Sequence, residues 1–139
     1  MRFDMSLLAP TGKVVNSLRE SFPNTLGVYA FGSQVQGHGS PQSDLDLAVL
    51  VGGYADPQRL WETASLLADV VGCHVDLLDL RAASTVMQHQ VITTGKRLWA
   101  GDVRAGLFEC YVLSEKTDFD AARKPLLQDI AATGKIYAG

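Results

Sequence analysis

A Gly32-Ser33 pair, followed after ten residues by an Asp-Leu-Asp triplet at residues 44–46, constrains this chain more than any other feature. An apolar run rich in aromatic and β-branched residues, at 26–31, precedes the glycine, and a second apolar run follows the triplet. Runs of this kind are typical of buried strands. The pattern therefore predicts a strand, a tight Gly-Ser turn, a short helix, a loop and a second strand.

The turn and the two aspartates have the chemistry of a triphosphate site. Gly32 lets a ligand approach the backbone closely, and Ser33 offers N–H and hydroxyl donors to phosphate oxygens. Alternate residues of a strand share a face, so Asp44 and Asp46 should project together while Leu45 points into a core. Two ionised carboxylates about 4 Å apart repel by roughly 4 kcal/mol at an effective dielectric near 20, and a divalent cation would remove that repulsion. Oxygen ligands without a nearby histidine or cysteine favour Mg²⁺ or Mn²⁺ over zinc.

A third carboxylate is expected from the apolar run at residues 74–80, which is typical of another buried strand. Asp76 is the candidate. Period-two alternation places Asp79 on the opposite face of that strand, so we expect Asp79 to be a strand-end or capping residue before Arg81.

Together these motifs resemble the nucleotidyltransferase superfamily of polymerase-β type. Within it they are most similar to the minimal nucleotidyltransferase (MNT) antitoxins of MntA type, which are encoded beside HEPN toxins. The resemblance rests on the Gly-Ser turn, its spacer and the acidic triplet, and it is strengthened by residues 75–80, 79–86 and 95–99. It covers about residues 10–100 and is loose beyond them.

The resemblance implies an α/β (α+β) fold, with a small mixed sheet, helices packed on one side of it and the site at one edge. It implies ATP as substrate and two Mg²⁺ ions, with Mn²⁺ as an alternative, held by Asp44, Asp46 and Asp76 as catalytic and metal-binding residues. Gly32 and Ser33 would bind the phosphates.

Proteins of MntA type transfer AMP from ATP to a tyrosine hydroxyl of the partner HEPN ribonuclease and so silence it. The resemblance therefore implies an antitoxin that is a protein adenylyltransferase, with the HEPN toxin as substrate and partner. Two alternatives stay open at this point: a small-molecule nucleotidyltransferase of aminoglycoside type, and a non-catalytic antitoxin that only occludes its toxin.

The chain departs from its relatives in one respect, because they often carry arginine soon after the Gly-Ser pair. Here Gln34 and Gln36 stand in that region. The triphosphate charge would then be met mainly by metal ions and by more distant cations. Lys13, Arg81 and Arg97 are candidates among which the sequence does not choose.

Composition bounds the remaining possibilities. A length of 139 residues, of which 47% are hydrophobic and 19% charged, suits one domain over residues 1–139, with a core at about 10–100 and a helical segment at about 102–134. The net charge of −3 argues against direct nucleic-acid binding. Cys73 and Cys110 form no CxxC motif, and residues 1–10 include no apolar run long enough for a signal peptide or membrane span, so we expect a cytoplasmic protein.

Helical periodicity and capping signals predict the other elements. A first helix is expected over residues 10–22, a second between Asp56-Pro57 and Gly72, and a third over 84–94, followed by a short strand at 97–100. From residue 103 the chain should be helical, with a break near Lys116 and a last helix beginning at Pro125. The apolar residues of this last third either bind a partner or pack on the domain's own sheet.

Overall fold

The computed structural model describes residues 5–32, residue 35 and residues 44–115. After a short 3-10 turn at Met5–Leu8, four helices and four strands follow in that part of the chain. In chain order they are α1 (Lys13–Ser21), β1 (Thr25–Phe31), β2 (Leu45–Val51), α2 (Pro57–Val71), β3 (Val75–Asp79), α3 (Thr85–Thr94), β4 (Lys96–Ala100) and α4 (residues 103–115).

The four strands form one mixed sheet in the order β3-β2-β1-β4. β1 is antiparallel to both β2 and β4, whereas β2 and β3 are parallel. Parallel neighbours need a long crossover, and α2 supplies it. The predicted α/β fold with a small mixed sheet is therefore confirmed.

α2 begins and ends at the residues that the sequence indicates. The Asp56 side chain accepts a hydrogen bond from the Arg59 N–H at 3.3 Å, and Gly72 ends the helix in the left-handed conformation with φ 79°. Ser84 caps α3 in the same way, accepting from the Met87 N–H at 3.1 Å. The first helix starts later than expected, at Lys13 instead of Pro10.

Helices cover both faces of the sheet, so the expectation of helices on one side only is wrong. α1 and α2 pack on one face, through residues such as Leu18 and Leu67. α3 and α4 pack on the other face, where Val91 and Phe108 contact the second apolar cluster. The reason is that β1 and β2 are apolar on both faces, so each face needs a cover. These α4 contacts are with the domain's own sheet, while Leu107 and Tyr111 of the same helix stay exposed.

A partly buried polar contact joins α4 to the sheet. The hydroxyl of Tyr29, in β1, donates to Glu109 Oε2 at 2.8 Å, and Arg97 Nη1 of β4 donates to the same oxygen at 2.8 Å. Burial, followed by the contact with Glu109, raises the pKa of Tyr29. Its hydroxyl therefore remains a neutral donor.

The predicted break near Lys116 and the predicted helix from Pro125 lie outside the described residues. Within the described ranges, no helix has both the length and the apolar character needed to cross a membrane.

Two adjacent leucines of α2 test the packing. Leu67 is fully buried and Leu66 is 52% exposed. Leu67→Ala is expected to lower the free energy of unfolding by about 2–5 kcal/mol, because it leaves a cavity between α2 and the sheet. Leu66→Ala should change it by less than about 0.5 kcal/mol. Urea denaturation measures both, and equal losses would contradict the described orientation of α2.

Candidate active site

Three carboxylates converge where β2 and β3 begin. The parallel register of these strands sets Asp46 directly beside Asp76, and Asp44 lies one residue before β2, on the same face as Asp46. Oxygens of Asp44 and Asp76 and a ring nitrogen of His74 all lie within 4.8 Å of one another. The side chains that the sequence selects are thus neighbours in space.

Gly32 lies against the Asp46 carboxylate, on the side of β1. Phe31, the last residue of β1, pairs with Asp46 in the antiparallel register, and Gly32 follows with φ +83°. A Cβ at position 32 would collide with the Asp46 carboxylate, and the positive φ would strain any other residue. The positive φ therefore favours glycine here, and any other side chain would also displace the Asp46 carboxylate.

The surroundings of Asp46 disfavour its ionised form. Its pKa is raised above the ordinary value, first by burial and then by the negative charges of Asp76 and Asp44. A hydrogen bond with Asp76 adds to the rise, and His74 opposes it. A bound cation would oppose this rise in the pKa of Asp46, because it would favour the ionised form of every carboxylate around it.

His74 is a member of the cluster that sequence reasoning missed. Its Nε2 lies 3.1 Å from Asp76 Oδ1, and both side chains are exposed, at 66% and 60%. The expectation that no histidine lies near the carboxylates is therefore wrong. Period-two alternation on β3 was a signal that could have revealed it, since residues 74 and 76 share a face.

The donor set fits a divalent cation. Carboxylate oxygens suit Mg²⁺ and Mn²⁺, and an imidazole nitrogen is a better ligand for Mn²⁺ than for Mg²⁺. The ligand atoms of Asp44, His74 and Asp76, which lie within 4.8 Å of one another, are close enough to bind one ion together.

Asp79 lies apart from this cluster, as its position in the strand predicts. It is buried, and its carboxylate accepts the Ala55 N–H at 2.8 Å and the Arg81 N–H at 3.1 Å. Its role is to hold the loop before α2 and the turn after β3.

The candidate cations are distributed over the molecule. Arg81 Nη2 donates to the carbonyl of Val51 at 3.3 Å, at the far end of β2, about 20 Å along the strand from Leu45. Arg97 is paired with Glu109, and Lys13 opens α1 on the opposite face of the sheet. Arg81 is thus too far away to contact a phosphate held by the carboxylates. Ser33, Gln34 and Gln36 lie outside the described residues.

The profile of the family described as "Polymerase beta, Nucleotidyltransferase" matches residues 13–104. The chain is also 38% identical over 120 residues to the protein adenylyltransferase MntA of Shewanella oneidensis, and the match covers 86% of each chain.

Solved structures agree with these sequence matches. One is a toxin–antitoxin complex with AMP-PNP, whose matching chain has a TM-score of 0.74 and 38% identity, with 86% of this chain and 97% of that chain covered. Another is the tri-AMPylated HEPN toxin of Shewanella oneidensis in complex with its MNT antitoxin. There the TM-score is 0.68 and the identity 36%, with 86% of this chain and 94% of that chain covered.

The raised pKa of Asp46 predicts a pH-dependent stability. The folded protein binds the Asp46 proton more tightly than the unfolded chain does. The stability that protonated Asp46 contributes is therefore full below the ordinary pKa of 3.8, and it is lost as pH rises through the raised pKa. In metal-free buffer, Asp46→Asn should therefore be more stable than wild type near pH 7, and the difference should shrink toward about pH 3.

Asp102 is the control, because it is exposed and its pKa is lowered by the hydrogen bonds from Arg104. Asp102→Asn should not stabilise the protein at any pH. Urea denaturation across the pH range measures all three proteins. An Asp46→Asn variant less stable than wild type near pH 7 would contradict the electrostatic account.

Proposed function

Because this chain belongs to the polymerase-β nucleotidyltransferase family, and to its MntA-type antitoxins, we propose that it transfers AMP from ATP to a tyrosine hydroxyl of a cognate HEPN toxin. The observation that carries the proposal is the β2–β3 register, which sets Asp46 beside Asp76 with Asp44 adjacent. The transfer neutralises the toxin, and the two proteins form a toxin–antitoxin pair.

The three carboxylates have separate roles in this proposal. Asp44 and Asp46 would hold the metal ions that contact the triphosphate, and Asp76 would complete the second metal site. Bound Mg²⁺ or Mn²⁺ neutralises phosphate charge and stabilises the attacking and leaving oxygens. Gly32 leaves room for Asp46, and Gly32 with Ser33 would supply the phosphate-binding turn.

The reaction is a displacement at the α-phosphorus of ATP. The tyrosine oxygen forms a new bond to that phosphorus while the bond to the bridging oxygen of the β-phosphate breaks, and pyrophosphate leaves. The hydroxyl proton passes toward Asp76, whose side chain is exposed beside the cluster. Because little covalent chemistry falls to the protein, its residues contribute mainly position and charge.

The alternatives are less well supported. A purely occluding antitoxin has no need for three carboxylates in register, since their mutual repulsion only opposes folding. A small-molecule transferase would share the site, but the 38% identical relative is a protein adenylyltransferase.

We place the reaction in the cytoplasm, where ATP is available and where thiols stay reduced. Cys73 and Cys110 are both free, and the net charge of −3 gives no reason to expect a nucleic-acid substrate.

Loss of a metal-binding carboxylate should stop transfer without unfolding the protein. Asp44→Asn and Asp46→Asn are each expected to lower the rate of AMP transfer to the toxin by about 100-fold or more. Intact-mass spectrometry of the toxin, after incubation with ATP and Mg²⁺, follows the gain of AMP. Asp102→Asn, at the opposite end of the sheet, is the matched control and should retain wild-type transfer.

Circular dichroism establishes that each variant is folded. Transfer by folded Asp44→Asn or Asp46→Asn at the wild-type rate would refute the assignment of the site.

His74 should affect which metal binds. His74→Ala is expected to weaken Mn²⁺ binding by about tenfold or more, because it removes an imidazole beside Asp76. The loss for Mg²⁺ should be smaller, since Mg²⁺ prefers oxygen ligands. The electron paramagnetic resonance signal of free Mn²⁺ measures binding directly, and competition with Mg²⁺ gives the second affinity. His89→Ala, in α3, is the control; equal Mn²⁺ affinity in both variants would contradict a role for His74.

A further inference from the structure

A groove runs between α2 and the outer edge of β3. We call it the β3 groove, and its volume is about 400 Å³. Its lining combines residues of α2 with residues at the start of β3, among them Leu60, Trp61, Ser65, His74 and Asp76. Nothing in the catalytic scheme above uses the α2 side of this groove.

The β3 edge of the groove has unpaired backbone groups. β3 ends the sheet, and no strand within the described ranges pairs with its outer side. The His74 carbonyl accepts the Leu45 N–H of β2, so by alternation Val75 and Leu77 direct their N–H and C=O groups away from β2. The groove therefore offers the main-chain N–H and C=O groups of Val75 and Leu77 to an incoming strand.

The charged residues of this edge strand are two aspartates that have other roles. Natural edge strands are protected by lysine, proline or other charges. The other edge of the sheet follows that rule, since β4 begins with Lys96 and Arg97. β3 contains neither lysine nor proline, and its two charged residues are Asp76, which belongs to the candidate site, and Asp79, whose buried carboxylate accepts the Ala55 and Arg81 N–H groups. Val75 and Leu77, whose backbone groups face outward, are both apolar, so the β3 edge suits a strand partner.

The α2 side of the groove supplies an apolar surface. Leu60, Ala64 and Ala68 are partly buried against the core, whereas the Trp61 side chain is 72% exposed at the rim. Exposed tryptophan beside a groove is typical of a recognition surface, because a partner can bury a large rigid side chain there.

The groove is continuous with the candidate active site. His74 and Asp76 line the groove and also belong to the metal-binding cluster. A strand added to β3 would lie about 4.8 Å from it, with alternate side chains on opposite faces of the sheet. One side chain would enter the groove beside Trp61, and the next would lie on the face that carries Asp46 and Asp76.

We propose that the β3 groove binds the acceptor segment of the toxin in an extended conformation, by strand addition to β3. The segment's tyrosine lies on the carboxylate face, and the apolar residue next to it in sequence fills the groove against Trp61. Main-chain hydrogen bonds provide affinity, and the alternate side-chain positions provide specificity. This inference rests on the proposed function, and it adds the route by which the acceptor hydroxyl reaches Asp76.

Fluorine NMR tests docking separately from transfer. The chain has two tryptophans, so labelling with 5-fluorotryptophan gives two resonances, which Trp61→Phe assigns. Trp99 packs under Arg19, at a cation-to-ring distance of 4.3 Å, and serves as the internal control. Unlabelled cognate toxin, added with AMP-PNP and Mg²⁺, should shift or broaden the Trp61 resonance and leave that of Trp99 unchanged.

The alternative occupants give different results, each of which overturns the proposal. An unchanged Trp61 resonance at saturating toxin means that the toxin docks elsewhere. A Trp61 shift that depends on protein concentration without toxin assigns the groove to a second copy of this chain.

A pair of neighbouring substitutions tests the groove by kinetics. Ser65 is exposed and lines the groove, whereas Leu66 is exposed and points away from it. Ser65→Arg should raise the KM for the toxin by about tenfold or more, with kcat nearly unchanged, because the long side chain obstructs the segment. Leu66→Arg adds the same charge beside it and should change the KM by less than about twofold.

Equal KM values for the two variants would overturn the proposal. Failure of the proposed function is recognised separately: wild-type protein would then transfer no AMP to the toxin, while the fluorine resonances would still report whether the toxin occupies the groove.

Discussion

The parallel pairing of β2 with β3 is the interaction on which the rest of the structure depends. It sets Asp46 beside Asp76 and carries Asp44 and His74 to the same end of the sheet. The cluster is unfavourable by itself, because like charges and partial burial both raise the pKa of Asp46. The apolar core of β1 and β2 offsets this local penalty, since β1 is buried along its whole length and β2 nearly so. Under the proposed function, a bound cation would offset this unfavourable charge.

The same pairing explains how the neighbouring features fit together. α2 connects the two parallel strands, so its position fixes both the core packing of Leu67 and the groove beside β3. Gly32, which follows β1, is constrained by its close approach to the Asp46 carboxylate. In the proposed scheme, β3 serves both the nucleotide site and the acceptor segment, with one face for the carboxylates and one edge for the partner strand.

Much of this could be predicted from the sequence. Strand parity was enough to separate Asp76 from Asp79, and local capping chemistry located α2 and α3 to within a residue. The packing of helices on the second face of the sheet was not predicted, because the apolar pattern of α4 does not indicate which surface that helix packs on. Arg81 could not be placed from sequence, since its distance from the carboxylates depends on the direction of β3 in the sheet. The spacing of His74 from Asp76 indicates a shared face, but a histidine at that position does not by itself identify a metal ligand.

The central claim is that Asp44, Asp46 and Asp76 jointly hold divalent cations against the triphosphate. A crystal structure of the protein with AMP-PNP and Mn²⁺, with anomalous scattering used to locate the metal, tests it most directly. The account predicts anomalous peaks bridging these carboxylates and the phosphates, at ligand distances of about 2.1 Å. Peaks bound only to phosphate, or at carboxylates elsewhere on the surface, would contradict it.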